Sequence, residues 1–405
     1  MKIVVMKFGG TSVANINRIK NVASIINKNY KKYKLVIVLS AMAGVTNDLQ
    51  KLIDQIDYPS SKENDLVLTS GEQVTVGLLS MILNKMKIKS IPLLGWQVPI
   101  ITDSSHEKAK ILNINKDNIL KYLDENDVVV LAGFQGINTE GKITSIGRGG
   151  SDTTAVAIAS SLNAERCDIF TDVDGVYSGD PTIVKSAKKI DKFSYEEMLE
   201  MSSMGAKVLH TRSVELAMKN NLTLQVLSSL INQEGTFIVN EKKLIEKEVV
   251  SGVSYSKDES KITISGIPDK PGIAAKIFRI LSRNNINIDM IVQNISQDGI
   301  SANLTFTVLN KDMKISKNLL EKNSEGILYK QLSTNSEVAK ISVIGMGMMS
   351  QSGVAEKMFQ TLADQKINIL AISTSEIKIS VLIEEKYTNN AVNSLHSAYR
   401  LGINN

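Results

Sequence analysis

A lysine, a pair of glycines and two hydroxyls stand close together in Lys7-Phe8-Gly9-Gly10-Thr11-Ser12, just after the apolar run Ile3-Val4-Val5. A buried strand ending there feeds a loop whose backbone approaches an anion closely, because neither glycine carries a Cβ. From about Val13 onward the pattern turns helical, so loop amides and a helix N-terminus address one point, and Lys7 adds a positive charge. An ordinary tight strand-to-helix turn is the other reading of these residues taken alone. A P-loop is excluded, since the order and spacing of glycine and lysine are wrong.

Five further segments carry chemistry-bearing residues. Ser40-Ala41-Met42-Ala43-Gly44-Val45-Thr46 follows a strand-like run, where open α/β sheets place ligand crevices, although a loop of small residues reads the same. Ser70-Gly71-Glu72 opens a helix; Glu72 either matches the helix dipole at the surface or holds a substrate ammonium. In Gly147-Arg148-Gly149-Gly150-Ser151-Asp152, the Arg148 fork suits a carboxylate and the glycines let amides approach the same anion, while Ser151 or Asp152 caps the next helix. Phe170-Thr171-Asp172-Val173-Asp174-Gly175-Val176-Tyr177-Ser178-Gly179-Asp180-Pro181 concentrates carboxylates in a loop after a strand. It lacks the closing glutamate of a calcium loop, so a nucleotide and magnesium neighbourhood is the better reading. Gly205-Ala206-Lys207-Val208-Leu209-His210 sets Lys207 at a helix start, where the dipole disfavours a cation unless a polyphosphate is bound.

The elements that must position these residues follow from the hydrophobic pattern. Up to about Val239, strand-like runs (Leu35–Leu39, Val128–Ala132, Asp168–Thr171, Leu222–Leu227) alternate with amphipathic stretches (Ile16–Asn27, Glu72–Met86, Asp152–Leu162, Tyr195–Met201). Such alternation implies a mostly parallel sheet covered by helices on both faces. Ser194 and Glu197 form a capping box before the last helix. A charged stretch, Glu241 to Glu248, reads as a linker. Beyond it, Gly272-Ile273-Ala274-Ala275-Lys276-Ile277-Phe278 is echoed by Gly353-Val354-Ala355-Glu356-Lys357-Met358-Phe359, and Ile286-Asn287-Ile288 by Ile367-Asn368-Ile369. Two copies are too few for a solenoid, and a pair of small α+β domains fits.

Composition narrows the class. A chain of 405 residues with 43% apolar residues and 6 prolines is globular and large enough for two or three domains. The net charge of +5 is spread thinly, without basic clusters interleaved with aromatics, which argues against nucleic acid. The single cysteine, Cys167, allows no internal disulfide and suits a reducing cytosol, where it serves as a small buried hydrophobe. His106, His210 and His396 lack metal-ligand spacing and read as structural or solvent-facing. The longest apolar stretch, Val128 to Phe134, is too short to span a bilayer, and the N-terminus opens on a motif-bearing strand. A soluble cytoplasmic protein is expected, with no membrane partner.

In this order the six motifs resemble the aspartate kinases of the amino-acid kinase family, and the repeat resembles paired ACT domains, with Asp269-Lys270-Pro271-Gly272 and Ser373-Thr374-Ser375-Glu376-Ile377 as the ligand segments. The resemblance covers essentially the whole chain. It implies a three-layer αβα kinase domain over 1–240, then two ferredoxin-like ACT domains at 249–333 and 334–405, with the strand at 249–256 available to pair with the second repeat. It further implies transfer of the γ-phosphoryl of ATP to L-aspartate, the first step of lysine, threonine and methionine biosynthesis, with Mg²⁺ bridging the triphosphate.

By the same resemblance Lys7, Asp152 and Lys207 are catalytic, and Phe8, Gly9, Gly10, Ser12, Ser40, Thr171, Asp172, Tyr177 and Asp180 join Lys7 and Lys207 on the nucleotide side. Thr46, Glu72, Phe134, Arg148, Gly149, Gly150 and Ser151 form the substrate pocket. Lysine, threonine or both are the implied effectors, held by Asp269, Gly272, Ala274, Asn287, Ile288, Asp289 and Gln293 in one repeat and Val354, Asn368, Ile369, Ser375 and Glu376 in the other. Assembly into a homo-oligomer through the ACT domains is implied as well. One departure stands out: the family often has arginine after the Asp-Pro of the nucleotide loop, where this chain has Thr182, with Lys185 as the possible substitute. The rival readings are a kinase for glutamate, N-acetylglutamate or a nucleoside monophosphate on the same fold, and a non-catalytic amino-acid sensor.

Overall fold

The computed structural model describes residues 1–402 apart from 57, 59, 204–207, 242–248, 297–298 and 349–350. Two compact units emerge. The first holds Met1–Val176, Lys189–Ser202 and residues 208–241, and the second holds Tyr177–Lys188 and residues 249–402.

The first unit is built on the apolar runs read from the sequence. Six strands lie mutually parallel in the order Leu224–Ser228, Arg166–Thr171, Ile3–Phe8, Lys34–Leu39, Val128–Ala132 and Ser90–Leu93. Thr236–Val239 runs antiparallel beside Leu224–Ser228, and Lys192–Ser194 closes that edge. Both faces of the central strands are apolar because helices cover both. The helix Ile16–Asn29 buries Ile19, Val22, Ala23 and Ile26, the spacing of one helical face, and Asn15 caps it through the Arg18 amide at 3.1 Å. The capping box holds: Glu197 Oε2 accepts from the Ser194 amide at 2.9 Å, and Ser194 Oγ accepts from the Glu197 amide at 3.1 Å.

Two sequence readings need correction here. Cys167 lies inside the strand Arg166–Thr171 rather than before it, and burial pushes its thiol well up. The stretch Ser61–Lys85 is longer than the Val128–Phe134 run and is apolar enough to cross a membrane by composition alone. Half of its apolar window is buried, and Val76, Leu79 and Leu83 belong to the core of this unit.

Ile3–Phe8 is flanked by Lys34–Leu39 on one side and Arg166–Thr171 on the other. The chain leaves it toward the first and returns later to the second, so the carboxyl ends of these strands flank a switch point, where open sheets bind ligands. A smaller sheet, in the order Ile111–Ile114, Ile100–Thr102, Gln135–Asn138 and Ile143–Ser145, carries the Arg148 loop at its end.

In the second unit, both repeats share one six-stranded sheet in the order Asp289–Ile295, Ser301–Val308, Gly252–Pro268, Gln331–Ile344, Lys378–Glu384 and Ala371–Thr374. Gly252–Ser256 pairs with Lys340–Ile344 of the second repeat, while Ser260–Pro268 pairs with Ser301–Val308 of the first on one side and Glu259–Ser265 with Gln331–Val338 on the other. The repeated sequences form matching helices, Ile273–Ser282 and Val354–Asp364. Each packs on its own core, Ile277 and Leu281 in one, Met358 and Leu362 in the other. The expected linker lies almost entirely outside the described residues.

Candidate active site

A cavity of about 630 Å³ opens at the carboxyl ends of the central strands of the first unit. Its floor is a buried ion pair: Lys7 Nζ stands 2.5 Å from Asp152 Oδ1. Lys7 comes from the end of the central strand and Asp152 from the first turn of the helix Gly150–Ser161, so sheet and helix fix the pair together. Burying a lysine this deeply is costly without such a partner.

The loop after Lys7 is pinned at both sides. The Gly9 amide donates to Phe170 O at 3.2 Å, and the Ser40 amide donates to Phe8 O at 3.1 Å. A Cβ on Gly10 would stand 3.1 Å from Ala41 O, tighter than ordinary packing, so glycine lets the two loops run this close without a shift of either. Phe8 itself faces the core and stacks on Phe170 at 4.5 Å, leaving only its backbone for the site.

Glu72 is the most telling group. It is only 3% exposed and lines the cavity. Its Oε1 accepts from the Ala41 amide at 3.0 Å, while Oε2 has no hydrogen-bond partner among the described residues. Burial pushes its carboxyl up to about 7, against the pull of the Ala41 amide. A surface role matching the helix dipole is therefore excluded.

Arg148, Gly149, Gly150 and Ser151 line the same cavity with Phe134 and Thr46. Arg148 is exposed, in a loop whose Gly149 adopts φ 68° and is itself the N-cap of the helix. The expected capping by Ser151 or Asp152 is thus corrected, since both already lie in the first helical turn. Phe134 also has positive φ, 67°, and its amide donates to Thr154 Oγ1 at 3.2 Å.

On the far side of the central strand, Ser12 Oγ donates to Ser229 Oγ at 2.7 Å, and the Ser229 amide donates to Thr171 O at 3.1 Å. Thr171 Oγ1 donates to Asp172 Oδ1 at 3.0 Å. Ser229 was not among the residues singled out from sequence; the only signal is Ser228-Ser229 at the end of a strand. Lys207 lies outside the described residues. Tyr177 and Asp180 fall in the second unit.

Residues 2–228 match the amino acid kinase family, and residues 262–323 and 341–399 match the ACT domain. The chain is 48% identical to the aspartate kinase of Pseudomonas putida over 404 residues, 99% of this chain and 98% of that protein. It is 46% identical to the aspartokinase of Pseudomonas aeruginosa over 405 residues, with the same coverage. The chain belongs to the aspartate kinases. Among solved structures of that family, Escherichia coli aspartokinase III in complex with aspartate and ADP superposes with a TM-score of 0.81 at 25% identity, covering 98% of this chain and 99% of that one. The same enzyme in complex with lysine and aspartate superposes with a TM-score of 0.79 at 26% identity.

Thr182, where the resemblance implies arginine, has a local role. Its amide and hydroxyl both donate to Asp180 Oδ1, at 2.8 and 2.7 Å, and Tyr255 donates to Oδ2 at 2.9 Å. Burial raises the Asp180 carboxyl, but these hydrogen bonds together hold it below its ordinary value. The side chain at 182 thus serves the turn.

The implied effector residues sit on the two repeats of the second unit. The helices after Gly272 and Gly353 begin with Ile273 and Val354, with Ala274 and Ala355 in their first turns. Asn287 and Gln293 are exposed, as are Asn368 and Glu376. Ile288 and Ile369 pack against the cores of their own repeats, the Asp269 amide donates to Ile300 O at 2.9 Å, and Ser375 Oγ accepts from the Ile377 amide at 3.4 Å. Asp289 is already engaged, 2.5 Å from Lys340 Nζ, which also meets Glu259 at 2.9 Å.

Proposed function

We propose that this chain transfers the γ-phosphoryl of ATP to the β-carboxylate of L-aspartate, giving 4-phospho-L-aspartate and ADP. The observation that carries the reading is Glu72: a buried carboxylate with one unpartnered oxygen in a cavity that also presents Arg148 and the Lys7–Asp152 pair. An amino acid's ammonium satisfies that oxygen, and an N-acetylated amine has no charge to offer it. Arg148 takes one substrate carboxylate in a fork, and the other is left toward Lys7. Thr46, Phe134, Gly149, Gly150 and Ser151 complete the pocket wall.

The nucleophile needs no general base, since a carboxylate with a pKa of about 4 is ionised at neutral pH. One of its oxygens forms a bond to the γ-phosphorus while the bond to the β,γ-bridging oxygen breaks, and that electron pair leaves on ADP. Catalysis then rests on in-line positioning and on neutralising charge. Lys7 meets the transferring phosphoryl, Asp152 holds the Lys7 ammonium in place, and Lys207 supplies a second charge. Gly10 offers its backbone amide to the phosphates and Gly9, whose own amide is held by Phe170 O, leaves room for their approach, with Ser12, Ser40, Thr171, Asp172, Tyr177 and Asp180 on the nucleotide side. Mg²⁺ arriving with the triphosphate offsets the remaining phosphate charge. The ACT pair binds lysine, threonine or both, assembles the homo-oligomer and lowers activity in the cytoplasm when end product accumulates.

The test is ADP release with L-aspartate, L-glutamate and N-acetyl-L-aspartate as acceptors. Loss of a charge-assisted hydrogen bond predicts that N-acetyl-L-aspartate is poorer by about 10- to 100-fold in kcat/KM. Equal turnover of the acetylated acceptor contradicts the role given to Glu72.

A further inference from the structure

The helix Ser61–Leu68 carries a carboxylate that takes no part in the chemistry above. Asp65 is fully buried, and both its oxygens are engaged. Oδ1 accepts from the Ser145 hydroxyl at 2.5 Å and from the Glu107 amide at 3.0 Å. Oδ2 lies 2.6 Å from His106 Nδ1, so that nitrogen carries the proton and donates. A buried carboxylate is costly unless every lone pair has a donor, and an apolar side chain would fill the same space without that demand.

What Asp65 holds is the wall of the cavity. Ser145 and Glu107 both line it, and the Ala109 amide donates to Ser145 O at 2.9 Å, joining the two segments. Arg148 follows Ser145 by one short turn of chain. From the opposite side Arg212 donates to Ile146 O at 2.9 Å and to Ala109 O at 2.8 Å. The segment leading to Arg148 is therefore gripped by buried or half-buried charged side chains from two helices, neither of which is among the residues facing the substrate.

We propose that Asp65 is a positioning residue for substrate binding: through Ser145 and the His106–Glu107 turn it sets where the Arg148 guanidinium stands. The inference rests on the reading that Arg148 receives a substrate carboxylate. Removing Asp65 frees the Ser145 hydroxyl and the turn together, so the Arg148 loop loses its anchor, while the Gly9–Gly10 loop and its contacts to Phe170 and Phe8 are untouched.

The experiment uses the full-length enzyme and compares Asp65→Ala, Arg148→Ala and the double variant. Asp65→Ala is expected to raise the KM for aspartate by about tenfold or more while the KM for ATP stays within about twofold. Asp65→Asn keeps an acceptor for Ser145 and the Glu107 amide, and is expected to recover most of that loss. In the Arg148→Ala background the Asp65 change is expected to add nothing. Equal rises in both KM values, or full additivity in the double variant, overturn the inference while leaving the substrate reading intact. An unchanged aspartate KM in Arg148→Ala overturns that reading and this inference with it. If Asp65→Ala does not fold, Ser145→Ala tests the same link: a rise in aspartate KM alone supports it, and no rise overturns it.

Discussion

Glu72 makes the sharpest demand at the scale of single residues. Its carboxyl, pushed up to about 7 by burial, must lose its proton before it can accept an ammonium. The KM for aspartate is expected to fall by about tenfold per unit as pH rises toward 7 and to level off above it, and Glu72→Gln is expected to flatten this profile. Steady-state kinetics between pH 5.5 and 8.5 reads both. The same group opposes folding. Its folded value lies above the ordinary 4.5, so its contribution is favourable in acid and is lost as pH rises from about 4.5 through 7. Glu72→Gln should therefore melt higher than the parent at pH 8, on the scale of about 3 kcal/mol at most. Lys7→Ala should keep its far-ultraviolet circular dichroism and lose about 10²- to 10³-fold in kcat, and near-normal turnover would contradict the role assigned to it. Lys7, Glu72 and Arg148 were legible in the sequence because each stands beside glycines and hydroxyls that have little structural reason to cluster. Asp65 and Ser229 were not, since their partners His106 and Ser12 lie 41 and 217 residues away and leave no local pattern.

At the scale of elements, period alone located the central parallel strands and four helices of the first unit, because parallel strands buried on both faces read as continuous apolar runs. The strands Ser90–Leu93 and Thr236–Val239, the smaller sheet and the short helices Val45–Ile53, Ser61–Leu68, Lys116–Glu125 and Thr211–Lys219 have too short or too polar a pattern to be read. At the start of the helix Gly150–Ser161, backbone sign was the cause of the misreading. Ser151 and Asp152 have the side chains of caps, yet Gly149 takes the N-cap with φ 68°, a conformation that side-chain preference does not reveal. A Cβ at Gly149 would also fall 2.2 Å from His210 Cγ. Gly149→Ala is thus expected to cost about 2 kcal/mol or more of stability and to raise the aspartate KM by displacing Arg148. Thermal melting and kinetics on the same preparation check both, and an unchanged melting temperature would contradict the strain argument.

At the scale of the whole molecule, the segment after the nucleotide loop belongs to the regulatory unit, which no periodicity could disclose. Ser178 meets His396 at 2.9 Å, Asp180 accepts from Tyr255, and Val184 sits in the core of the second repeat. Tyr177 and Asp180, proposed above for the nucleotide side, therefore belong to the same structural body as the repeats proposed to bind effectors. With lysine or threonine titrated singly and together, aspartate or ATP affinity is expected to change by about 5- to 150-fold, the range of a coupling of 1–3 kcal/mol. Asp269→Ala and Gln293→Ala are expected to abolish that response, and retained inhibition in both would remove these residues from the effector site. The central claim, phosphorylation of aspartate on its side-chain carboxylate, is tested most directly by trapping the acyl phosphate with hydroxylamine. With ATP and L-aspartate, aspartyl hydroxamate should form in step with ADP, and no hydroxamate should form with glutamate or N-acetylglutamate. Hydroxamate from glutamate alone, or ADP released from aspartate mixtures without hydroxamate, would contradict the account.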